Sequence, residues 1–232
     1  VSSLLLSVLM SLIVPKFLNV ENFGYWQLFL FYVSYAGFFH FGLTDGIYLK
    51  LGGKKYRELD KEDINNQFHI LLFIQIIICI LILIYSLFFV KSSDKSSILL
   101  ISSIYILIAN LNWFLGYLFQ AINLTKVYSF SVIIDRVLFI FLLFITFIVG
   151  IKNYLYLIIL YTFTRILALT YCIIYARKLL KIKTTNLFKS IPNTLEYIKI
   201  GINLTLSSIA SMLIIGVGRF FVENKWGISE FG

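Results

Sequence analysis

Uninterrupted apolar runs longer than twenty residues constrain this chain most. Between Phe68 and Val90 there is no charged side chain, taking His69 at the edge as neutral. About 20 such residues in a helix cross the hydrocarbon of a bilayer. Backbone in lipid must satisfy its own hydrogen bonds, so only helices and closed barrels can span it. Barrel strands alternate apolar and polar residues over about ten positions. That pattern is missing here, so a barrel is excluded and an all-α polytopic membrane protein is predicted.

Composition agrees. The 232 residues are 60% hydrophobic and 13% charged, against roughly half and a quarter in soluble domains. The net charge of +9 comes from bases scattered between the apolar runs, not from the single stripe that nucleic acid selects. Nucleic acid is therefore not an expected partner. Cys79 and Cys172 each fall inside an apolar run and read as buried thiols. His40 and His69 lack a carboxylate or thiol at metal-ligand spacing, and nothing resembles a P-loop. No cofactor is expected. The first apolar stretch meets Pro15 without a small-residue cleavage site, so it is expected to stay in the protein.

Seven spans are predicted, over residues 1–14, 26–49, 68–90, 98–119, 128–150, 154–176 and 197–217. A helix as long as the first rises about 21 Å, less than the roughly 30 Å core. The chain is therefore expected either to lack its natural beginning or to extend that helix past Pro15, and it reads as an N-terminal fragment. With a cytoplasmic N-terminus, the inside segments hold twelve of the 20 bases (Lys50, Lys54, Lys55, Arg57, Lys61, Lys126, Arg177, Lys178, Lys181, Lys183, Lys189 and Lys199), and the outside segments hold six. The positive-inside rule favours that orientation.

Residues 50–67 mix bases with Glu58, Asp60, Glu62 and Asp63 and read as a solvated connector. Residues 177–196 set Leu179, Leu180, Ile182, Leu187, Phe188 and Ile191 among lysines, as an interfacial helix would. Pro192 is expected to break that element, and Asn193 with Glu196 to cap the seventh span.

The segment Asn19-Val20-Glu21-Asn22-Phe23-Gly24 after the first span is echoed 208 residues later by Gly227-Ile228-Ser229-Glu230-Phe231-Gly232. Six intervening spans restore the same orientation, so a parallel duplication of helical bundles is one reading. A recurring turn at an aromatic anchor is the other.

Lys16-Phe17-Leu18-Asn19-Val20-Glu21-Asn22-Phe23-Gly24-Tyr25-Trp26 and Phe39-His40-Phe41-Gly42-Leu43-Thr44-Asp45-Gly46-Ile47-Tyr48 resemble the segment after the first helix and the second helix of polysaccharide and O-antigen flippases. These belong to the multidrug/oligosaccharidyl-lipid/polysaccharide exporter superfamily. The resemblance implies two six-helix lobes in a V around a central cavity, working by alternating access in a bacterial cytoplasmic membrane and without catalysis. On this analogy residues 1–176 are the N-lobe, 177–196 a linker, and 197–232 the start of a C-lobe. The implied partners are a lipid-linked oligosaccharide, membrane lipids, a coupling sodium ion or proton, and polysaccharide assembly proteins.

Ionisable groups inside a membrane are expensive and mark function by default. Here they are Asp45, Asp135, Arg136 and Arg165, the expected substrate-binding residues. Arg165, near the middle of span six, can bind two phosphate oxygens through its planar fork. Its alternative role is an ion pair with Asp45 or Asp135, and Asp45 could instead snorkel to the interface. Gln75, Asn110, Asn112, Gln120, Asn123 and Asn203 either line a wet cavity or bond between helices. Gly42 and Gly46 form a small-residue pair for close helix approach. Rival readings are a cation-coupled multidrug exporter of the same superfamily and a membrane-embedded polysaccharide polymerase.

Overall fold

The computed structural model describes residues 14–182, 187–225 and 228–231. Almost all of these are helical, and no strand occurs among them. The elements are α1 (Val14–Phe17), α2 (Val20–Ser34), α3 (Leu43–Leu51), α4 (Lys61–Phe89), α5 (Ser93–Ala121), α6 (Thr125–Val149), α7 (Tyr154–Leu180), α8 (Ile191–Lys225) and α9 (Ile228–Phe231). Among the described residues, five helices are long and apolar enough to cross a membrane: α4 to α7, and the stretch Leu187–Ile214 that includes most of α8. The protein is an all-α polytopic membrane protein. The first predicted span lies, apart from Val14, outside the described residues.

The third to sixth spans appear where predicted, extended by polar caps. Asp60 Oδ1 accepts from the Asp63 N–H at 3.0 Å, starting α4 seven residues before its apolar run. Asp63, Ile64, Asn65, Asn66 and Gln67 are buried there, so the last five residues of the expected solvated connector are interior structure. Large apolar side chains such as Phe88, Phe141 and Ile148 point outward, as a lipid solvent permits.

The second span is not one helix. α2 gives way to a 3₁₀ turn over Tyr35–His40, and the chain turns at Phe41 (φ 51°) and Gly42 (φ 86°) before α3 begins. The freed carbonyls find partners on neighbouring helices. Asn110 Nδ2 donates to Ala36 O at 2.9 Å, and Gln75 Nε2 donates to Phe39 O at 2.7 Å. A break at membrane depth is tolerated only when protein satisfies it in this way.

α3 and α8 touch backbone to backbone. A Cβ on Gly46 would lie 1.8 Å from Tyr197 O, and one on Gly201 would lie 2.1 Å from Gly42 O. The small pair Gly42 and Gly46 thus meets Gly201 of the seventh span. α8 is also latched by polar bonds at both ends. At one end Asp63 accepts from Tyr197 Oη (2.8 Å) and Asn193 Nδ2 (2.9 Å), and Lys50 pairs with Glu196 at 2.7 Å. At the other, Glu223 pairs with Lys95 at 3.4 Å and accepts from Tyr32 Oη. Pro192 therefore does not break an element, and Asn193 and Glu196 are not caps. The helix starts at Ile191, and proline is tolerated in a first turn because its missing N–H would be unpaired there anyway.

Within the echoed segments, residues 20–24 and 228–231 are helical, not turns. Asn19 caps α2 by accepting the Asn22 N–H at 2.9 Å. The second segment packs on the first: a Cβ on Gly24 would lie 2.1 Å from Ile228 O, and Phe31 and Phe231 meet at 5.7 Å.

Candidate functional site: a polar layer and its adjoining cavity

Two apolar clusters stack along the bundle. One is built on Leu43, Ile47, Phe68, Leu71, Phe114 and Leu118, the other on Trp26, Phe29, Tyr105, Phe139 and Tyr161. Along α6 the clusters are marked by Val127 and Phe139, and along α7 by Leu169 and Tyr161. The buried positions between them are polar except for Ala168: Ser131 and Asp135 on α6, and Thr162, Thr164 and Arg165 on α7. Three of the four intramembrane charges, Asp135, Arg136 and Arg165, thus share a layer between the clusters.

Within it Arg165 Nη1 donates to Asp135 Oδ2 at 3.0 Å, with the two side chains 6% and 4% exposed. Thr164 Oγ1 donates to the other carboxylate oxygen at 3.1 Å. Breaking such a pair from one side costs about 3–5 kcal/mol because the survivor stays buried and uncompensated. The guanidinium carbon lies 5.8 Å from the Tyr105 ring centroid and 5.5 Å from that of Trp113, and π-faces stabilise a cation. Arg165 Nε has no hydrogen-bond partner among the described residues. Phe163 and Ile166 of the same helix are exposed, so the arginine occupies the inner side of a helix whose other side meets lipid.

Arg136 stands beside the pair and donates through Nη1 to Tyr161 Oη at 3.3 Å. Tyr161 in turn stacks on Tyr105 at 5.4 Å. Asp135, Arg136 and Arg165 are thus brought together, and Asp45 is not with them. Asp45 sits in the first turn of α3, where the helix dipole favours an anion, and accepts from Thr205 Oγ1 of α8 at 2.6 Å. It is buried and does not snorkel.

Asp45 lines a cavity of about 200 Å³ together with His40, Trp113, Tyr117, Thr205 and Ser208. Trp113 is shared: it borders this cavity and its ring faces Arg165. The Gly42 N–H donates to His40 Nδ1 at 3.1 Å, so a neutral His40 carries its proton on Nε2. No group of three His, Cys, Asp or Glu side chains that could hold a metal ion occurs among the described residues.

The sequence matches the polysaccharide biosynthesis protein family over residues 1–230. The chain belongs to this family. No curated protein and no solved structure matches it. Membership ties this multi-pass membrane protein to polysaccharide biosynthesis or transport.

Sequence reasoning did not single out Trp113, Thr205, Tyr105 or Tyr161, since aromatic and hydroxyl side chains in apolar runs look like packing. The position of His40 and Asp45 five residues apart was the available signal for the cavity. Of the uncharged polar candidates, Gln75 and Asn110 bond to each other at 2.9 Å and to the broken helix. Asn112 donates to Cys172 Sγ at 3.6 Å, Gln120 reaches Gly116 O at 3.5 Å, and Asn203 is exposed. Gln75, Asn110 and Asn112 thus join helices, as packing requires, whereas Gln120 bonds within its own helix.

Proposed function

We propose that the protein moves a polyprenyl-pyrophosphate-linked oligosaccharide across the bacterial cytoplasmic membrane by alternating access, as a transporter without an enzymatic step. In this reading residues 1–176 form one lobe, 177–196 the linker, and 197–232 begin a second lobe. The Lys50 end faces the cytoplasm, and a sodium ion or proton drives the cycle.

One observation carries the reading. Arg165 is buried at mid-bundle, is paired through one nitrogen with Asp135, and keeps Nε unpaired. A guanidinium binds phosphate oxygens in pairs. Asp135 acts as a placeholder that the lipid pyrophosphate displaces, so the arginine is never buried without an anion.

A cation-coupled multidrug exporter is the second reading. Asp45 favours it, as a buried carboxylate with no salt bridge among the described residues. The test is complementation: the full-length gene is placed in a strain lacking its own flippase but making the matching lipid-linked glycan. Restored surface polysaccharide supports glycan transport. Failure at normal protein abundance, with drug resistance gained instead, supports the second reading.

A further inference from the structure

An apolar crevice lies away from the polar layer. It has a volume of about 640 Å³ and opens where α5 and α7 end and α6 begins, with Leu118, Phe119, Ile122, Leu124 and Ile174 among its apolar walls. Its volume is that of a small-molecule site. Its rim differs in kind from its floor: Tyr56, Tyr171 and Tyr175 border it, and Arg177 and Lys178 close it. Both bases are exposed, and neither side chain has an acidic partner among the described residues. A third cation, Lys61, stands over the Tyr56 ring at 4.7 Å.

The order of materials along this crevice is that of a phospholipid at a membrane surface. Apolar walls lie deep, tyrosines lie where rings anchor at the headgroup level, and bases lie where phosphates sit. Cations in the last turn of α7 also suit the helix dipole, but the dipole requires no apolar crevice beneath them. Glu58 and Asp60 on the same loop are used as caps, accepting the Lys55 and Asp63 N–H groups at 3.0 Å each. Phe119 holds Tyr175 edge-on at 5.6 Å, and Phe130 holds Tyr171 at 5.4 Å, so these two rim rings are held in place.

We infer that this crevice binds an anionic glycerophospholipid of the surrounding leaflet, with one acyl chain between α5 and α7 and the headgroup phosphate on Arg177 and Lys178. The site lies outside the Asp135–Arg165 layer and serves as a lipid anchor, independent of any transported glycan. Basic pockets between membrane helices bind anionic headgroups by the same physics.

The test uses the full-length protein reconstituted in equimolar phosphatidylglycerol and phosphatidylcholine with matched acyl chains, followed by native mass spectrometry of the lipids retained on release. Wild type is expected to retain phosphatidylglycerol over phosphatidylcholine. Arg177→Gln and Lys178→Gln each lower that preference about fivefold, the effect of one cation near an anionic headgroup. Ile174→Trp fills the crevice and removes retention with the charges intact, whereas Lys152→Gln, an exposed base at the other end of the bundle, leaves it unchanged. Equal retention of the two lipids by wild type overturns the assignment. So does retention that falls in the charge variants but survives Ile174→Trp, which would mean surface attraction without a crevice.

Discussion

Arg165 and Asp135 face each other at 3.0 Å across adjacent helices, almost wholly out of solvent. Phe163 and Ile166 of α7 turn outward while Thr164 stays buried on Asp135, so the pair is both a structural fastener and a stored charge. Charge-neutralising substitutions should separate these roles. Asp135→Asn alone should destabilise the full-length protein by about 3–5 kcal/mol, because it strands a buried guanidinium. Adding Arg165→Gln should recover much of that loss. Chemical denaturation in detergent reads both, and a double variant as unstable as the sum of its singles would deny the pairing.

The seam between α3 and α8 makes a sharper steric prediction. Gly46→Ala places a methyl group 1.8 Å from the Tyr197 carbonyl oxygen, and backbone on both sides leaves nowhere to yield. We expect a loss of at least about 2 kcal/mol, in the range for strained core positions. Gly218→Ala, whose added methyl group meets nothing within 4 Å, should be neutral or stabilising by up to about 1 kcal/mol. Equal melting temperatures for the two variants would rule out the close seam.

The broken second span depends on side chains from elsewhere. Asn110→Leu removes the donor to Ala36 O and the bond to Gln75. Leaving such groups unpaired costs about 1–3 kcal/mol each. The expected result is faster hydrogen exchange confined to residues 35–42, and unchanged exchange there would show that the break holds without Asn110.

These cases show what the sequence could and could not disclose. The four helices α4 to α7 were legible because each apolar run is long enough to cross a membrane and is interrupted by at most the few charges Asp135, Arg136 and Arg165. The break at Phe41 and Gly42 was not, because Gln75 and Asn110 stabilise it from sites 36 and 74 residues away in the chain. The intramembrane charges stood out by their desolvation cost alone. The partner of Arg165 did not: Asp45 and Asp135 were equally available until helix rotation placed one beside it and the other against Thr205. Likewise the echo at Gly24 and Phe231 was readable as a pattern, while the packing of one copy on the other was not.

The proposed orientation rests on the two-to-one excess of bases at the Lys50 end. With Cys79 and Cys172 replaced by serine, a cysteine at exposed Ser93 or Asn153 should react with an impermeant thiol reagent on intact cells. One at exposed Lys126 should react only after permeabilisation. The reverse labelling would invert the topology.

The account rests on Arg165 meeting the phosphates of a lipid-linked glycan. Its most direct measurement is surface polysaccharide in a flippase-deleted strain with the matching glycan pathway, complemented by the full-length gene carrying changes at this position. Arg165→Lys keeps the charge without the planar fork and should retain partial export. Arg165→Ala should abolish export when compared at matched protein abundance, the double change Arg165→Ala with Asp135→Asn serving where the single variant is too unstable. Wild-type export by Arg165→Ala would contradict the phosphate role of this arginine.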